Sequence, residues 1–600
     1  MRRRDLWALV WALLPVRSAA FQGQAPQLTP EQRRAAAEVQ RDPILQAMLA
    51  ELSRMRELRT LPEIPYFVEI GCDDAFLMSV SATLGAAFAP VENRVRPLRV
   101  QVRVGSPRFD NTGSIFSDNY SGTRYDSGQL PLEGGVMHYR QALWLAIDRA
   151  YKTAVEALGR KTAAMRGVSV ADPLPDLGPA PVGPLVRDPV KPRLETTRWR
   201  DVVKRLSAIY RNYPAITYST VDLDVSQGTT YFVSSEGAMV RAPETVAILR
   251  TRAGCQAGDG MPLYDGGQWV APDPGKLPPE AQMAAVVEEV AARLSALTSA
   301  PIGATYTGPV LFEPLAAAQL TGEILGTHLC ASRRLVAEPG RAVPFLGSEY
   351  ENRLNSRVMP EWLSVIDDPT LEQWEGIPLA GHYLVDLEGV RPERLLVIEK
   401  GELKTLLTTR QPIRGIPGSN GRARLPGGFG VRTARISNLF VEAGNTAPLV
   451  ELRTRLLQLA GQQQKPYAML VRKMDFPSTG SLDDLRRLGQ RTAQGGGGRP
   501  VSLPLGIYRL YPDGREELVR GLRFRGLGTR SFRDLLAASA ERAAFHYADN
   551  AAPLALTGAG TYVVGCSVVA PALLFEELEL EAIEEEFPEA PLVPAPTSAG

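Results

Sequence analysis

A switch in apolar periodicity between positions 98 and 165 restricts the chain to folds in which long helices cover a sheet. In Leu98-Arg99-Val100-Gln101-Val102-Arg103-Val104 apolar side chains alternate with polar ones, which predicts a strand with one buried face. From His138 to about Met165, Leu143, Ile147, Tyr151, Ala154 and Leu158 recur at helical spacing with charge on the opposite side. A long amphipathic helix is therefore predicted to lie over that sheet.

The same reading extends along the chain. Thr29-Pro30-Glu31-Gln32 has the offsets of a helix start, and a helix is expected from there to about Arg59 with an interruption near Pro43. Tyr66 to Ile70 and Ala75 to Val80 read as two strands, Trp199 to Tyr210 as a helix, and Ile216 to Leu223 and Thr229 to Ser234 as two further strands. Ser235-Glu236-Gly237 is a turn before Ala238 to Val240, and Pro279 to Leu297 is a third long helix. Residues 168 to 192 are crowded with proline and glycine and read as a connecting segment. Beyond residue 376, short strands alternate with turns such as Leu387-Glu388-Gly389 and Lys400-Gly401-Glu402, the texture of a largely antiparallel β domain. Gly495 to Gly498 is expected to be a flexible loop.

Composition excludes several classes of function. With 600 residues, 44% of them hydrophobic and 22% charged, the chain can bury a large core in two or more domains. Sixty-seven basic against 66 acidic residues leave no electrostatic footprint for nucleic acid. Cys72, Cys255, Cys330 and Cys566 form neither a CxxC pair nor a zinc-ribbon spacing, and are too few for a disulfide framework. Arg2, Arg3 and Arg4 before the apolar run Leu6 to Leu14, with Ser18-Ala19-Ala20 at cleavage positions, give the pattern of a secretory signal peptide. The expectation is export to the periplasm or medium, with no membrane span after cleavage, since no later stretch is apolar for long enough.

The fold class these patterns give is α+β. A signal at 1–20 precedes an N-terminal α/β domain, a sheet with long amphipathic helices, whose first part is 21–190 and whose remainder with a connecting helix is 191–300. A β-rich, mainly antiparallel C-terminal domain follows at 301–582, and an acidic, proline-rich tail at 583–600 is expected to be disordered.

No common catalytic signature is present. There is no Gly-x-Ser-x-Gly elbow and no Walker sequence, and Gly427-Gly428-Phe429-Gly430 follows no clear strand and opens no helix. The segment Tyr306 to Leu320, followed by an acid at Glu323, is instead similar to the strand-to-helix entry of the TldD/PmbA catalytic domain. Gly376 to Val390, the hairpin Leu395 to Leu407, Gly418-Ser419-Asn420-Gly421, Ile436-Ser437-Asn438-Leu439 and the closing Pro571 to Leu580 continue the resemblance in the same order. What the resemblance implies is a C-terminal TldD/PmbA-like domain in paired subunits that enclose a peptide channel, with Asn420 and Asp386 as channel candidates.

Active members of that family resemble one another in a His-Glu-x-x-x-His helix plus a later cysteine as zinc ligands. Aligning Glu323 with the motif's acid, a vestigial general base, puts Gly322 and Thr327 where the two histidines should stand. Glycine offers no donor atom, and a threonine hydroxyl is a poor zinc ligand. His328 lies one position late and points roughly 140° from Glu323 on a helix. His328 and Cys566 are thus weak metal candidates; read from the residues alone, Cys566 and Cys330 are buried small hydrophobes, His328 is a packed or surface side chain, and His138 and His382 are structural or exposed. Asp386 and Glu388 read as turn organisers through side-chain to backbone hydrogen bonds.

Three functions stay open on the sequence: a zinc-less, peptide-binding subunit of a proteolytic complex, a metallopeptidase with a rearranged site, and an exported scaffold. The first needs no cofactor, whereas the second needs zinc. Expected partners are a second copy or a TldD-like relative, and peptides or unfolded protein segments added to sheet edges.

Overall fold

The computed structural model describes residues 36–55, 63–116, 129–167, 174–337, 347–426, 431–475, 501–549 and 563–587. The signal pattern, the helix start at Thr29, the glycine-rich loops at 427–430 and 495–498 and the last residues of the tail lie outside them.

Helix α1 (Pro43–Arg54) begins where the sequence predicts an interruption, because Asp42 caps it by accepting the N–H groups of Ile44 and Leu45 at 3.0 and 3.1 Å. The two strands expected at 66–70 and 75–80 are one, β1 (Pro65–Thr83), 19 residues long. Cys72-Asp73-Asp74 does not break it, since each acid has a cation beside it. Asp73 pairs with Arg99 and accepts the Thr230 hydroxyl at 2.8 Å, and Asp74 accepts Arg94 and Arg96 at 2.8 and 2.9 Å.

Strand β2 (Leu98–Ser106) is present as predicted, but its second face is buried too. Gln101 and Arg103 are each 4% exposed, and the Arg103 guanidinium donates to Asp110 at 2.8 Å and to Thr112 at 3.0 Å. The one-faced expectation failed because alternation marks polarity, whereas the returning chain at 110–112 supplies partners that let the polar face be buried.

Helix α2 (Val136–Ala164) buries Leu143, Ile147, Tyr151, Ala154 and Leu158, as the periodicity predicts. The part of the connecting segment described here is pinned. Asp176 accepts Lys161 at 2.6 Å, Arg333 at 2.9 Å and the Asp110 N–H at 2.8 Å, and Pro184–Val186 adds a short parallel strand. Helix α3 (Thr196–Ala208) leads into β3 (Tyr218–Ser234), again one strand where two are predicted, then β4 (Met239–Gln256), β5 (Pro262–Ala271) and α4 (Glu280–Leu297). The sheet runs β5-β4-β3-β1-β2, antiparallel along this order. Helices α1 and α2 bury one half of one face, and α3 and α4 the other half.

The C-terminal unit is built on β6 (Tyr306–Phe312), α5 (Pro314–His328), β7 (Leu363–Asp367), β8 (Leu395–Glu399), β9 (Asn438–Ala443), α6 (Leu449–Gln462), β10 (Ala468–Met474), β11 (Pro504–Leu510), β12 (Leu535–Asp549) and β13 (Val564–Ala582). The strand order is β8-β7-β9-β13-β6-β10-β11, with β12 antiparallel to β13. Most pairs are antiparallel; β9 with β13 and β6 with β10 are parallel. The fold is mixed α and β with strands dominant. Ion pairs join the units directly, among them Lys473 with Asp265 at 2.6 Å, Arg410 with Glu236 at 2.6 Å, Arg520 with Asp259 at 2.9 Å, Arg333 with Asp176 at 2.9 Å, and Arg432 with Glu69.

Candidate functional site

Strand β6 delivers the chain into α5 through Glu313 at the N-cap and Pro314 in the first turn, where a missing N–H costs nothing. Every residue from Ala316 to Gly326 is buried, so α5 runs through the core with no wet face in that stretch. A carboxylate placed there has to be hydrogen-bonded. Glu323, 6% exposed, accepts the Ser502 N–H at 3.1 and 3.2 Å and the Ser502 hydroxyl at 2.9 Å. One turn earlier, Gln319 Oε1 accepts the Met474 N–H at 2.8 Å. Two polar side chains four residues apart therefore hold the end of β10 and the approach to β11.

This geometry makes Glu323 a clamp on the sheet. Glu323→Ala should destabilise the protein by about 1–3 kcal/mol, because it leaves the half-buried N–H and hydroxyl of Ser502 unpaired, while Glu323→Gln keeps an acceptor and should lose less. Denaturant midpoints for the two variants measure this; an Ala variant with an unchanged midpoint would remove the clamp reading.

The remaining residues of the vestigial motif turn to other tasks. Thr327 donates its hydroxyl to the Glu323 carbonyl at 2.8 Å, a bond within the helix. His328, the last residue of α5, accepts the Glu349 N–H on Nδ1 at 3.2 Å, has Nε2 3.9 Å from the Glu349 carboxylate, and packs edge-on against Tyr350. Burial lowers its pKa, and Glu349 opposes this. Cys566 lies on β13 opposite Tyr547, fully buried, with Sγ donating to the Ile436 carbonyl at 3.3 Å. Burial pushes its thiol far up, and that of Cys330, which donates to the Gly326 carbonyl at 3.2 Å, up to about 12.

Gly326 shows how tightly α5 lies on the strands that carry Cys566. A Cβ there would stand 3.2 Å from the Ile436 side chain and 3.3 Å from the Tyr547 hydroxyl. Gly322, one turn earlier, shares that face.

The zinc implied by the family resemblance does not fit these donors. Gly322 has none, Thr327 is spent on its own helix, His328 faces Glu349, and the Cys566 thiol is protonated and bonded to a carbonyl, whereas zinc takes thiolate and neutral imidazole. Among the described residues no three His, Cys, Asp or Glu side chains are grouped to hold an ion.

The channel candidates are held by backbone. Asp386 accepts the N–H groups of Glu388 and Val390, both at 2.9 Å, and of Ala423 at 3.1 Å, while Glu388 accepts the Arg410 N–H at 2.7 Å. Asn420 accepts the Thr408 N–H and donates to the Leu406 carbonyl, each at 2.8 Å. His138 caps α2 by accepting the Gly135 N–H, and His382 bonds the Pro369 carbonyl at 2.8 Å.

Two arrangements escaped the sequence. Arg422 and Asp367 form an ion pair at 2.7 Å with both side chains fully buried, 55 residues apart with no spacing signal between them. His546 Nδ1 and Ser567 Oγ are hydrogen-bonded at 2.8 Å, Ser567 Oγ also accepts the Ala380 N–H at 2.9 Å, and burial depresses the His546 pKa to about 4. Ser567 has no exposed surface, so this pair braces residue 380 against the sheet.

Residues 305–456 match the family model of the PmbA/TldA metallopeptidase C-terminal domain. A metalloprotease of Archaeoglobus fulgidus is 36% identical over 92 residues, 15% of this chain and 20% of the relative. A metalloprotease of Methanothermobacter thermautotrophicus is 26% identical over 234 residues, 38% of this chain and 46% of the relative. The chain thus aligns with between a fifth and a half of the length of these curated relatives. In fold it is similar to TldE from Thermococcus kodakarensis, with TM-score 0.53 and 13% identity over 89% of this chain and all of that one. It is also similar to a putative modulator of DNA gyrase from Thermotoga maritima, with TM-score 0.51 and 14% identity over 86% of this chain and 96% of that one. Residues 305–456 thus carry a C-terminal domain of the PmbA/TldA metallopeptidase family, and most of the chain has the fold of TldE.

Proposed function

We propose that this chain is a peptide-binding, zinc-less subunit of a proteolytic complex, exported from the cytoplasm. The observation that carries the reading is α5 itself, with Gly322 and Thr327 at the positions of the motif's histidines and the Glu323 carboxylate bonded to Ser502. Hydrolysis then belongs to a relative that brings its own metal, and this chain contributes binding through sheet edges, where main-chain hydrogen bonds supply affinity and pockets supply specificity. Partner subunits are a second copy or a TldD-like relative, and no cofactor is needed. Export rests on Arg2 to Arg4, the apolar run to Leu14 and Ser18-Ala19-Ala20.

The experiment is purification from the cell envelope and medium, followed by elemental analysis, amino-terminal sequencing and light scattering. Zinc should stand well below one per chain, the mature chain should begin near Phe21, and the particle should be at least a dimer. Peptides should bind the chain alone but be cleaved only with a relative present. One zinc per chain, lost on His328→Ala, would replace this reading with a rearranged metallopeptidase; failure to bind any peptide would leave a scaffold.

A further inference from the structure

The C-terminal unit meets the end of β3 and β4 through the turn at 386–390. Gly389 has φ +77°, and a Cβ there would lie 2.8 Å from the Phe232 ring and 3.0 Å from the Ala238 Cβ, so turn and sheet touch. Leu384 and Val385 pack on the same patch of Phe232, Ala238 and Val240. The turn carries two acids, Asp386 and Glu388, 6% and 7% exposed.

The nearest cations are largely committed elsewhere. From the loop at 408–411, the Arg410 guanidinium donates to Glu236 at 2.6 and 3.1 Å and to the Gly178 carbonyl at 3.0 and 3.1 Å. Across the 423–434 hairpin, Arg432 pairs with Glu69 on β1. Arg422 pairs with Asp367, and Arg424 lies over Tyr383 and donates to the Ile436 and Gly565 carbonyls. Asp386, Glu388, Glu236, Glu69 and Asp367 therefore share four guanidiniums, and none of the four donates to the Asp386 or Glu388 carboxylate among the bonds seen here. A second buried negative charge without its own cation is costly, and a proton removes that cost.

We propose that docking of the 386–390 turn onto the N-terminal sheet is coupled to uptake of one proton by the Asp386–Glu388 pair. The electrostatics agree with the geometry. Burial, and then the Asp386 charge, push Glu388 up to about 8 against Arg410 and Arg432, and burial pushes Asp386 up to about 6 against its N–H donors and Arg422. A carboxyl group raised on docking favours the docked form at low pH, and that preference is lost as pH climbs from the ordinary carboxylate range to 8. The joint tightens in acid and loosens through neutrality, with a plateau above.

The test is hydrogen exchange in segments 228–242 and 384–411 of the full chain, corrected for intrinsic rates, between pH 6 and 9. Opening in the wild type should rise by up to about tenfold per pH unit, the limit for one linked proton, and level off near pH 8. Glu388→Gln, which keeps an oxygen for the Arg410 N–H, should abolish the slope. A wild type without the slope, or a variant that keeps it, overturns the proposal. Should the variant not fold, infrared spectra of wild-type protein with isotope-labelled glutamate decide: a protonated glutamate carboxyl band at pH 7 that fades by pH 9 supports the coupling, and only carboxylate bands at pH 7 reject it.

Discussion

Arg422→Ala is expected to destabilise the C-terminal unit by about 3–5 kcal/mol, the loss that follows when one partner of a buried ion pair is removed and the other stays charged. Nε donates to Asp367 Oδ1 at 2.7 Å, and the two terminal nitrogens donate to the Asn420 and Glu393 carbonyls, each at 2.6 Å. Asp367 also accepts the Ser437 N–H at 2.7 Å and its hydroxyl at 2.8 Å. One guanidinium thus ties the end of β7 to two loops. Arg422→Lys should recover little, since a single ammonium cannot serve three acceptors in one plane. Ser437→Ala should cost only about 1 kcal/mol, because the Ser437 N–H bond survives. Denaturant unfolding monitored within the C-terminal unit compares the three; a loss below about 1 kcal/mol for Arg422→Ala would mean that water relieves Asp367.

The second large effect concerns the vestigial metal helix. Gly322→His with Thr327→His is expected to raise zinc affinity by at least about a hundredfold over wild type, since structural zinc sites yield about 10–16 kcal/mol from four ligands and each good ligand accounts for roughly a quarter. Gly322 lies one turn before Gly326, on the face that packs toward the strands of Cys566, so Cys566 is the third ligand expected. Zinc would have to lower its thiol pKa and break its bond to the Ile436 carbonyl. Adding Cys566→Ala should cancel most of the gain. Stability should fall, by about 1–3 kcal/mol, because Gly322 is buried and an imidazole overpacks its site. Competition titration with a chromogenic chelator reads the affinity, and an unchanged affinity would show that α5 no longer points its motif face at Cys566.

Helices were legible wherever apolar spacing carried them. Helix α2 buries the residues its periodicity predicts, and Pro43 marks the start of α1. Strand lengths were not. Gly71 to Asp74 reads as a break because acids are poor strand formers, yet β1 runs through it, since Arg94, Arg96 and Arg99 arrive from the neighbouring hairpin. The antiparallel texture after residue 376 was visible in its turns, whereas the parallel pairing of β9 with β13 joins segments more than a hundred residues apart, which no local pattern encodes.

The candidate site divides along the same line. Sequence by itself determined which donors the motif helix lacks, because Gly322 and Thr327 follow from register alone, and it determined that Asp386 organises a turn, because the N–H groups of Glu388 and Val390 that it accepts lie within a few residues of backbone. Only the tertiary structure decided what Glu323, Arg422 and Glu388 do. Ser502, Asp367 and Arg410 come from distant positions in the chain, and the free energy of a buried charge is set by the partners that reach it in space.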